Sequence, residues 1–218
     1  MNNILTLFHG YVGMLLDREG LDRTTRDGLN KIKDGARAAS ELMDRTHSLV
    51  RPSTIVWREA KLAEFVPLLK STMADACGPH TKLEVEIDED LPPIRADLSR
   101  LKTALLELVR NSGEAAPRGT VKIHICSESP ANFPSASIGN AAHAIGWIAI
   151  NVIDDGPGVD PEIGEKIFQP FFSTKPRQNA AGLGLNVVAV SVEQIGGMLK
   201  YDSKPGCTKF QILLPAIV

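Results

Sequence analysis

The chain has few cysteines and little net charge, and each shortage excludes a class of protein. Its 218 residues include three cysteines, Cys77, Cys126 and Cys207, with no Cys-x-x-Cys pair. This spacing argues against a disulfide framework and against a zinc site, and the five histidines also lack metal-ligand spacing. The 24 basic and 26 acidic residues give a formal net charge of -2. Charge therefore gives no case for binding nucleic acid or a membrane surface.

Long apolar runs are also missing. No stretch approaches the roughly 20 apolar residues that a membrane-spanning helix needs. The first residues, Met1-Asn2-Asn3, contain no basic segment of the kind that begins a signal peptide. We therefore expect no membrane contact by this chain, although a longer parent protein could be tethered to a membrane.

Residues 2 to about 50 predict two helices around a break at residues 17–20. Each carries an apolar stripe at helical spacing, and neither can bury that stripe alone. We expect an antiparallel hairpin that packs against its own copy, which would make each chain half of a dimeric four-helix bundle. Arg51-Pro52-Ser53 predicts the end of the second helix and a linker. The expected domains are therefore residues 1–52 and 53–218.

The remainder alternates between helical and strand patterns. Helices are predicted at 59–76, where Pro67 falls inside and kinks or divides the helix, at 97–116 and at 185–195. Strands are predicted at 83–87, 121–125, 147–153 and 207–214, and the nearly continuous apolar run at 147–153 is typical of a central strand. Residues 129–146 predict a long surface loop with no assigned role. The fold class is therefore α+β, with a two-layer α/β sandwich and a mixed sheet of about five strands after the hairpin.

Glu107 and Asn111 lie four residues apart in the predicted helix at 97–116, so their side chains point the same way. An amide oxygen is a hard ligand suited to Mg2+, and a carboxylate one turn earlier can accept a proton or position a water. The same spacing is common on the solvated face of an ordinary helix. The pair therefore indicates a functional site only in combination with the motifs that follow it.

Asp154-Asp155-Gly156-Pro157-Gly158 follows the most hydrophobic strand. A carboxylate at Asp154 can accept a hydrogen bond from the exocyclic amine of adenine, and it would repel the keto oxygen of guanine. Gly156 and Gly158 allow positive φ angles and a close approach to a flat base. Asp-Gly and Pro-Gly are equally ordinary in tight turns.

Gly182-Leu183-Gly184-Leu185 precedes a predicted helix. Glycines at such a position let backbone amides approach phosphate oxygens at a helix N-terminus. The polar segment at 176–181 before it resembles a mobile lid. Lys175, at the base of this lid, could reach a phosphate.

The ordered set of motifs resembles the ATP-binding domain shared by sensor histidine kinases, DNA gyrase, the Hsp90 chaperones and the MutL repair proteins. The match is closest to the sensor histidine kinases, whose N, G1, F and G2 boxes are similar to residues 107–116, 154–158, 167–175 and 182–185. This resemblance implies that Asn111 binds Mg2+, that Asp154 recognises adenine and that Gly182 to Leu185 contact the phosphates of ATP. It also implies that Thr208 lies beside the adenine carboxylate.

The helical hairpin resembles the dimerisation and phosphotransfer domain of these kinases. One large subgroup begins its first helix with His-Asp-Phe-Asn-Asn, whereas this chain opens with Met1-Asn2-Asn3-Ile4. The phosphoacceptor histidine would therefore fall just before residue 1. His9 lies on a different face of the helix and is no substitute, and His47 lies near the end of the second helix. We expect a fragment cut inside the signature, which binds ATP without phosphorylating itself.

Glu107 departs from most of these kinases, which carry Asn at that position. Glu is found there in the gyrase, Hsp90 and MutL relatives, in which it activates water for hydrolysis. Three functions remain open. The first is the catalytic region of a cytoplasmic histidine kinase that passes the γ-phosphoryl of ATP to a histidine and then to a response-regulator aspartate. The others are an ATPase switch that uses Glu107 and a docking or dimerisation module without kinase activity.

Overall fold

A computed structural model describes residues 2–18, 20–33, 35–36, 54–128, 146–174 and 182–217. The chain divides into two compact units, Met1–Arg51 and Pro52–Val218. Several predicted features lie outside the described residues: most of the second half of the hairpin with His47, the linker at 51–53, the loop at 129–145, and Lys175 with the segment at 176–181.

The described residues of the first unit form two helices, and most of the second predicted helix lies outside them. Helix α1 is Asn2–Leu16, and helix α2 occupies residues 23–33. The described residues 17, 18 and 20 lie in the break between them, as predicted. Asp22 accepts a hydrogen bond from the backbone N–H of Thr25 at 2.9 Å, which caps the start of α2 as Asp commonly does.

Among the described residues of the second unit, seven strands form one mixed sheet, so the mixed sheet is confirmed with two more strands than expected. They are β1 Arg58–Ala60, β2 Lys82–Ile87, β3 Ile94–Ala96, β4 Thr120–Glu128, β5 Gly146–Asp154, β6 Met198–Lys204 and β7 Cys207–Ala216. The order is β1-β3-β7-β5-β4-β2, and β6 also pairs with β7. Strands β2 and β4 are parallel, and the other pairs are antiparallel.

The helices of this unit are α3 Leu62–Leu68, α4 Lys70–Cys77, α5 Leu98–Ala115 and α6 Gly184–Gln194, with a 3₁₀ helix at Gly164–Phe168. The predicted start of the helix at 59–76 is wrong, because residues 58–60 belong to β1 and α3 begins at Leu62. Its division, expected from Pro67, is confirmed: α3 ends at Leu68 and α4 begins at Lys70. A proline inside a helix removes one hydrogen bond and crowds the preceding turn, which explains the division.

The two faces of the sheet differ in polarity. Ile125, Ile150 and Ile212 are aligned on neighbouring strands, and all three are fully buried in the core with residues of α4, α5 and α6. His124, Asn151 and Gln211 are aligned in the same way on the opposite face, which we call the open face. Strand β5 is central, as predicted, and it ends at Asp154 beside the helices.

None of the described helices combines the length and the apolar character that crossing a lipid bilayer requires.

Candidate functional site

Helix α5 holds the first part of the candidate site. Its N-terminus is fixed by Asp97, whose carboxylate accepts hydrogen bonds from the N–H groups of Ser99 and Arg100 at 3.0 and 3.4 Å. A second oxygen of Asp97 accepts from Val56 N at 3.0 Å. The apolar side of the helix is buried against the sheet at Leu101, Ala104, Leu105, Leu108 and Val109. This anchoring fixes the direction in which Glu107 and Asn111 project.

Glu107 and Asn111 lie together at the start of α6. A methyl group placed on Gly184 would lie 3.0 Å from Glu107 Oε2 and 3.1 Å from Asn111 Nδ2. The shared direction of the two side chains, predicted from their spacing, is thus present in the structure. Glu107 is 7% exposed and forms an ion pair with Arg110, one turn further along α5.

Among the described residues, one side-chain group at this position lacks a hydrogen-bond partner and one helix end lacks a side-chain cap. Asn111 Nδ2 is buried without a hydrogen bond. Helix α6 begins at Gly184 with no side-chain cap and no acidic residue in its first turn. Unfilled N–H groups at a helix N-terminus attract anions, and a buried unpaired amide is costly unless a ligand satisfies it. The arrangement is therefore suited to a polyanionic ligand.

Asp154 forms the second part of the site, at the end of β5. It is 3% exposed, and its Oδ1 accepts a hydrogen bond from Gly156 N at 3.1 Å. Burial raises the pKa of this carboxyl, while the neighbouring Ser112 hydroxyl and the Gly156 N–H oppose the shift. Ser112 follows Asn111 directly in α5, so it links the two parts of the site. Sequence reasoning missed Ser112, which carries no signal apart from its place beside Asn111.

Thr208 is the partner of Asp154 in the β5–β7 pair. It is 4% exposed, and its hydroxyl lies 3.0 Å from that of Ser203. Ser203 Oγ in turn accepts a hydrogen bond from Val159 N at 2.8 Å. The expected position of Thr208 beside Asp154 agrees with this register. The hydroxyl pair also anchors the loop that follows Asp154.

The two glycines after Asp154 occupy different surroundings. Gly158 has φ +88°, and a methyl group on it would lie 2.9 Å from the carbonyl of Lys204 in the β6–β7 turn. A methyl group on Gly156 would lie 2.8 Å from Asp154 Oδ1. Gly158 is thus required for packing against the turn, whereas Gly156 keeps the space beside the Asp154 carboxylate open.

Asp155 has a structural position that the sequence did not suggest. Both of its carboxylate oxygens lie 3.0 Å from the N–H of Thr120 at the start of β4. A methyl group on Gly119 would lie only 1.9 Å from Asp155 Oδ1. Asp155 therefore ties the end of β5 to β4, and a glycine at position 119 is needed to admit it.

The Gly182–Leu185 segment begins close to the residues of the predicted F box. Gly182 has φ +65°, and a methyl group there would lie 2.6 Å from the backbone of Phe171. Leu183 is buried, and Leu185 packs partly against the core. The Asn186 side chain donates to Phe168 O at 3.1 Å. These contacts set the position of Gly184 opposite Asn111. Lys175 lies outside the described residues, so its predicted role is neither supported nor contradicted.

Helices cover one face of the mixed sheet. A buried carboxylate lies at the end of its central strand, and an uncapped helix faces an Asn and a Glu. This arrangement defines an α/β sandwich of the kind that binds a nucleotide. Residues 96–217 match the model of the family described as "Histidine kinase-, DNA gyrase B-, and HSP90-like ATPase". The chain belongs to this ATP-binding family.

Curated relatives narrow the likeness to sensor kinases. The chain is 28% identical to the sensor kinase CckA of Brucella abortus over 222 residues, which is 100% of this chain and 23% of that protein. It is 33% identical to the sensor histidine kinase ZraS of Salmonella typhimurium over 83% of this chain and 35% of that protein. The chain thus spans only part of the length of these relatives.

Among solved structures, full-length ShkA in complex with AMPPNP has a TM-score of 0.72 and 20% identity, over 100% of this chain and 44% of that chain. This likeness extends over both units, and at that identity it concerns the fold.

Proposed function

We propose that the chain is the ATP-binding catalytic region of a sensor histidine kinase, which passes the γ-phosphoryl of ATP to a histidine and then to a response-regulator aspartate. The observation that carries the proposal is the meeting of Asn111 and Glu107 with the uncapped start of α6, in a chain of this ATP-binding family. The named sensor kinases among its relatives support the reaction class.

Asp154 recognises adenine in this proposal. Its buried carboxylate accepts a hydrogen bond from the exocyclic amine, and Gly156 leaves the approach free of a side chain. A guanine keto oxygen in the same place would face the carboxylate without a proton between them. Thr208, in register with Asp154, and Gly158 hold the strand ends on either side. The residues that recognise the base are therefore separate from those that contact the phosphates.

The phosphates and Mg2+ lie at the other part of the site. The backbone of Gly182, Leu183, Gly184 and Leu185 contacts phosphate oxygens at the start of α6, and Lys175 adds a positive charge. The side chain of Asn111 has a free Nδ2, and a half-turn of its amide presents Oδ1 instead. An amide oxygen is a suitable Mg2+ ligand, so the residues present fit the ion. When bound, Mg2+ neutralises charge on the phosphate oxygens.

Glu107 acts on the attacking group. Its Oε2 faces Gly184 at the start of α6, where the phosphates are expected, and the ion pair with Arg110 holds the carboxylate in place. A carboxylate in this position orients the attacking histidine, or accepts its proton, as the phosphoryl group is transferred.

Nucleotide binding tests the proposal directly. ATP with Mg2+ should bind more tightly than GTP, and Asp154→Asn should weaken ATP binding by about 10–100-fold, because a hydrogen bond to a charged group contributes about 1.5–3 kcal/mol. Isothermal titration calorimetry measures both effects. The matched control is Asp75→Asn, which changes an exposed carboxylate of α4 and should leave ATP affinity unchanged. Equal loss in both variants would contradict the adenine role, and no binding at millimolar ATP would favour the docking module.

An ATPase switch is the second candidate, and the Glu side chain at position 107 favours it, because a carboxylate beside the phosphates can activate water. The two functions differ in where the phosphoryl group goes. With γ-labelled ATP and a histidine-bearing acceptor domain supplied with the chain, a kinase leaves acid-labile label on protein. An ATPase shows steady phosphate release that Glu107→Ala abolishes and Glu193→Ala, on exposed α6 surface, does not.

The proposal includes partners and location. The first unit forms the homodimer through residues 2–50, which exposed apolar side chains of α1 support: Leu7, Tyr11 and Met14 are 57–61% exposed. A response-regulator receiver domain is the acceptor of the phosphoryl group. Use of ATP as donor places the reaction in the cytoplasm.

A further inference from the structure

The open face of the sheet brings together three side chains that the nucleotide site does not use. His124 and Cys126 alternate along β4, so both project from this face. Asp88 directly follows β2, whose last residue Ile87 pairs with Ile125 between them. Asp88 Oδ1 lies 3.1 Å from His124 Nε2, and one potential ligand atom from each of the three residues lies within 4.8 Å of the others.

The Asn151 amide contacts the cysteine sulfur and the backbone carbonyl of the histidine. Asn151, which is 6% exposed, donates through Nδ2 to His124 O at 3.2 Å and to Cys126 Sγ at 3.6 Å. Its own Oδ1 accepts from Gln211 Nε2 at 3.0 Å. Such second-layer hydrogen bonds orient ligands at metal centres and reduce the loss of side-chain freedom on binding. The strand pairing brings the three residues together, and the hydrogen bonds of Asn151 help to hold them there.

The local charge also favours a cation. The carboxylates of Asp88 and Glu128 act on the Cys126 sulfur, and Lys209 adds one opposing positive charge. The remaining negative charge attracts a divalent ion, which would stabilise the thiolate. Asp88 is exposed and the other two side chains are half-buried, so an ion could reach them from solvent.

We propose that Asp88, His124 and Cys126 form a Zn2+ site, with water as the fourth ligand. Zn2+ binds S, N and O donors at about 2.0–2.3 Å, which places tetrahedral ligands roughly 3.3–3.7 Å apart. The three atoms, all within 4.8 Å of one another, would be drawn to that spacing by the ion. A thiolate and an imidazole select a borderline-soft ion over Mg2+ or Ca2+, which prefer oxygen. The site is separate from the residues proposed to bind ATP, so it does not depend on that function.

Cobalt substitution tests the site without any activity assay. One Co2+ per chain should produce a thiolate-to-metal charge-transfer band and tetrahedral d–d absorption, and Zn2+ should displace it. Cys126→Ser should abolish the charge-transfer band. Cys207→Ser is the matched control, since Cys207 is equally half-buried but pairs with Lys204 at the β6–β7 turn, and it should keep the band. Asn151→Ala should weaken Zn2+ binding by about 10–100-fold through loss of ligand orientation.

Several results would overturn the proposal. A wild-type Co2+ spectrum without the thiolate band would mean that Asp88 and His124 form only an ordinary surface pair. The same band in Cys126→Ser, or its loss in Cys207→Ser, would assign the ion to another cysteine. Unchanged Zn2+ affinity in His124→Gln would remove the imidazole from the ligand set. If Cys126→Ser fails to fold, Asp88→Asn, which changes an exposed member of the cluster, tests the same site, and unchanged Co2+ affinity in that variant would contradict it.

Discussion

Two adjacent carboxylates, Asp154 and Asp155, have opposite surroundings. Asp154 is nearly inaccessible, and its Oδ1 accepts a hydrogen bond from Gly156 N at 3.1 Å. Asp155 is exposed, with both oxygens 3.0 Å from Thr120 N. At residue scale, the first carboxylate is kept available to a ligand at some expense of stability, whereas the second contributes to holding the strand ends together.

The raised pKa of Asp154 predicts a specific pH dependence of stability. The folded protein binds the proton of this group more tightly than the unfolded chain does, so stability falls as pH rises from the ordinary carboxyl pKa of about 4 through the folded value. Asp155 lies next to it and raises the pKa in the same direction. Asp154→Asn cannot ionise and should remove this fall, leaving the ligand-free variant at least as stable as wild type at pH 7.

Urea unfolding without nucleotide, followed between about pH 4 and pH 7, measures this difference. The informative quantity is the change with pH in the gap between wild type and variant, because other carboxyls contribute equally to both. A variant that is less stable at pH 7, with the pH slope unchanged, would show that burial of the charge is not unfavourable.

At the scale of elements, helix α6 begins at a glycine, which leaves the space in front of its first N–H groups without a side chain. Gly184 begins the helix opposite Glu107 and Asn111, and no described side chain caps it. Glycine in a helix is less favourable than alanine by roughly 0.5–1 kcal/mol. The helix therefore gives up stability at the one position where its N–H groups must face the site.

Gly184→Ala should lower the affinity for ATP while it changes the stability of the fold little. The atoms nearest to the added methyl group would be the ends of two flexible side chains at 3.0–3.3 Å, so we expect the unfolding free energy to change by less than about 1 kcal/mol. ATP affinity should fall by about tenfold or more, because the methyl group occupies the approach to the N–H groups and displaces Asn111. Calorimetric titration with ATP and thermal unfolding measure the two effects.

Gly28→Ala is the control, since Gly28 lies in α2 with nothing within 4 Å of the added methyl group. It should leave ATP affinity unchanged. If Gly184→Ala bound ATP as tightly as wild type, the start of α6 would not contact the phosphates.

Elements with a strong local pattern were predictable, and those defined by distant partners were not. Helix α5 has a continuous apolar side and an Asp cap, and β5 has an apolar run, so both were predicted within a residue or two. Strand β6, Met198–Lys204, mixes charged and apolar residues and depends on pairing with β7. Strands β1 and β3 have three residues each, which is too short for a period-2 pattern to be recognised.

The same distinction applies to the sites. The i, i+4 spacing of Glu107 and Asn111 was sufficient to place them together. The contact between Asp155 and β4 was not predictable, because it joins residues 35 positions apart. The Asp88, His124 and Cys126 cluster also escaped a search for metal-ligand spacing along the chain, because the parallel pairing of β2 with β4 creates it.

At the scale of the whole molecule, the chain consists of two units, Met1–Arg51 and Pro52–Val218. The second has a continuous core of its own. The first exposes Leu7, Tyr11 and Met14 along α1, at the i, i+4, i+7 positions that share one side of a helix. Exposed apolar surface of this kind is usually covered by another helix, here by a second copy in the proposed dimer.

Tyr11→Glu should therefore convert the dimer into monomer, because a carboxylate buried in a helical interface lacks a partner. Sedimentation velocity over a concentration series measures the mass. Leu68→Glu is the matched control, since Leu68 is 79% exposed in α3 of the other unit and should remain dimeric. A wild-type chain that is monomeric at all concentrations, or an unchanged mass for Tyr11→Glu, would contradict an interface on this side of α1.

The loop after Asp154 is braced at three points: Asp155 to Thr120 N, Val159 N to Ser203, and Gly206 N to Gly156 O at 3.0 Å. A carboxylate held in this way needs little rearrangement to receive a donor, so much of the entropic penalty of binding is already met by the fold. Small heteroaromatic compounds that present an amine to Asp154 should then bind without any phosphate group. The braced loop thus offers a starting point for fragment-sized inhibitors that enter at the base end and leave the start of α6 empty.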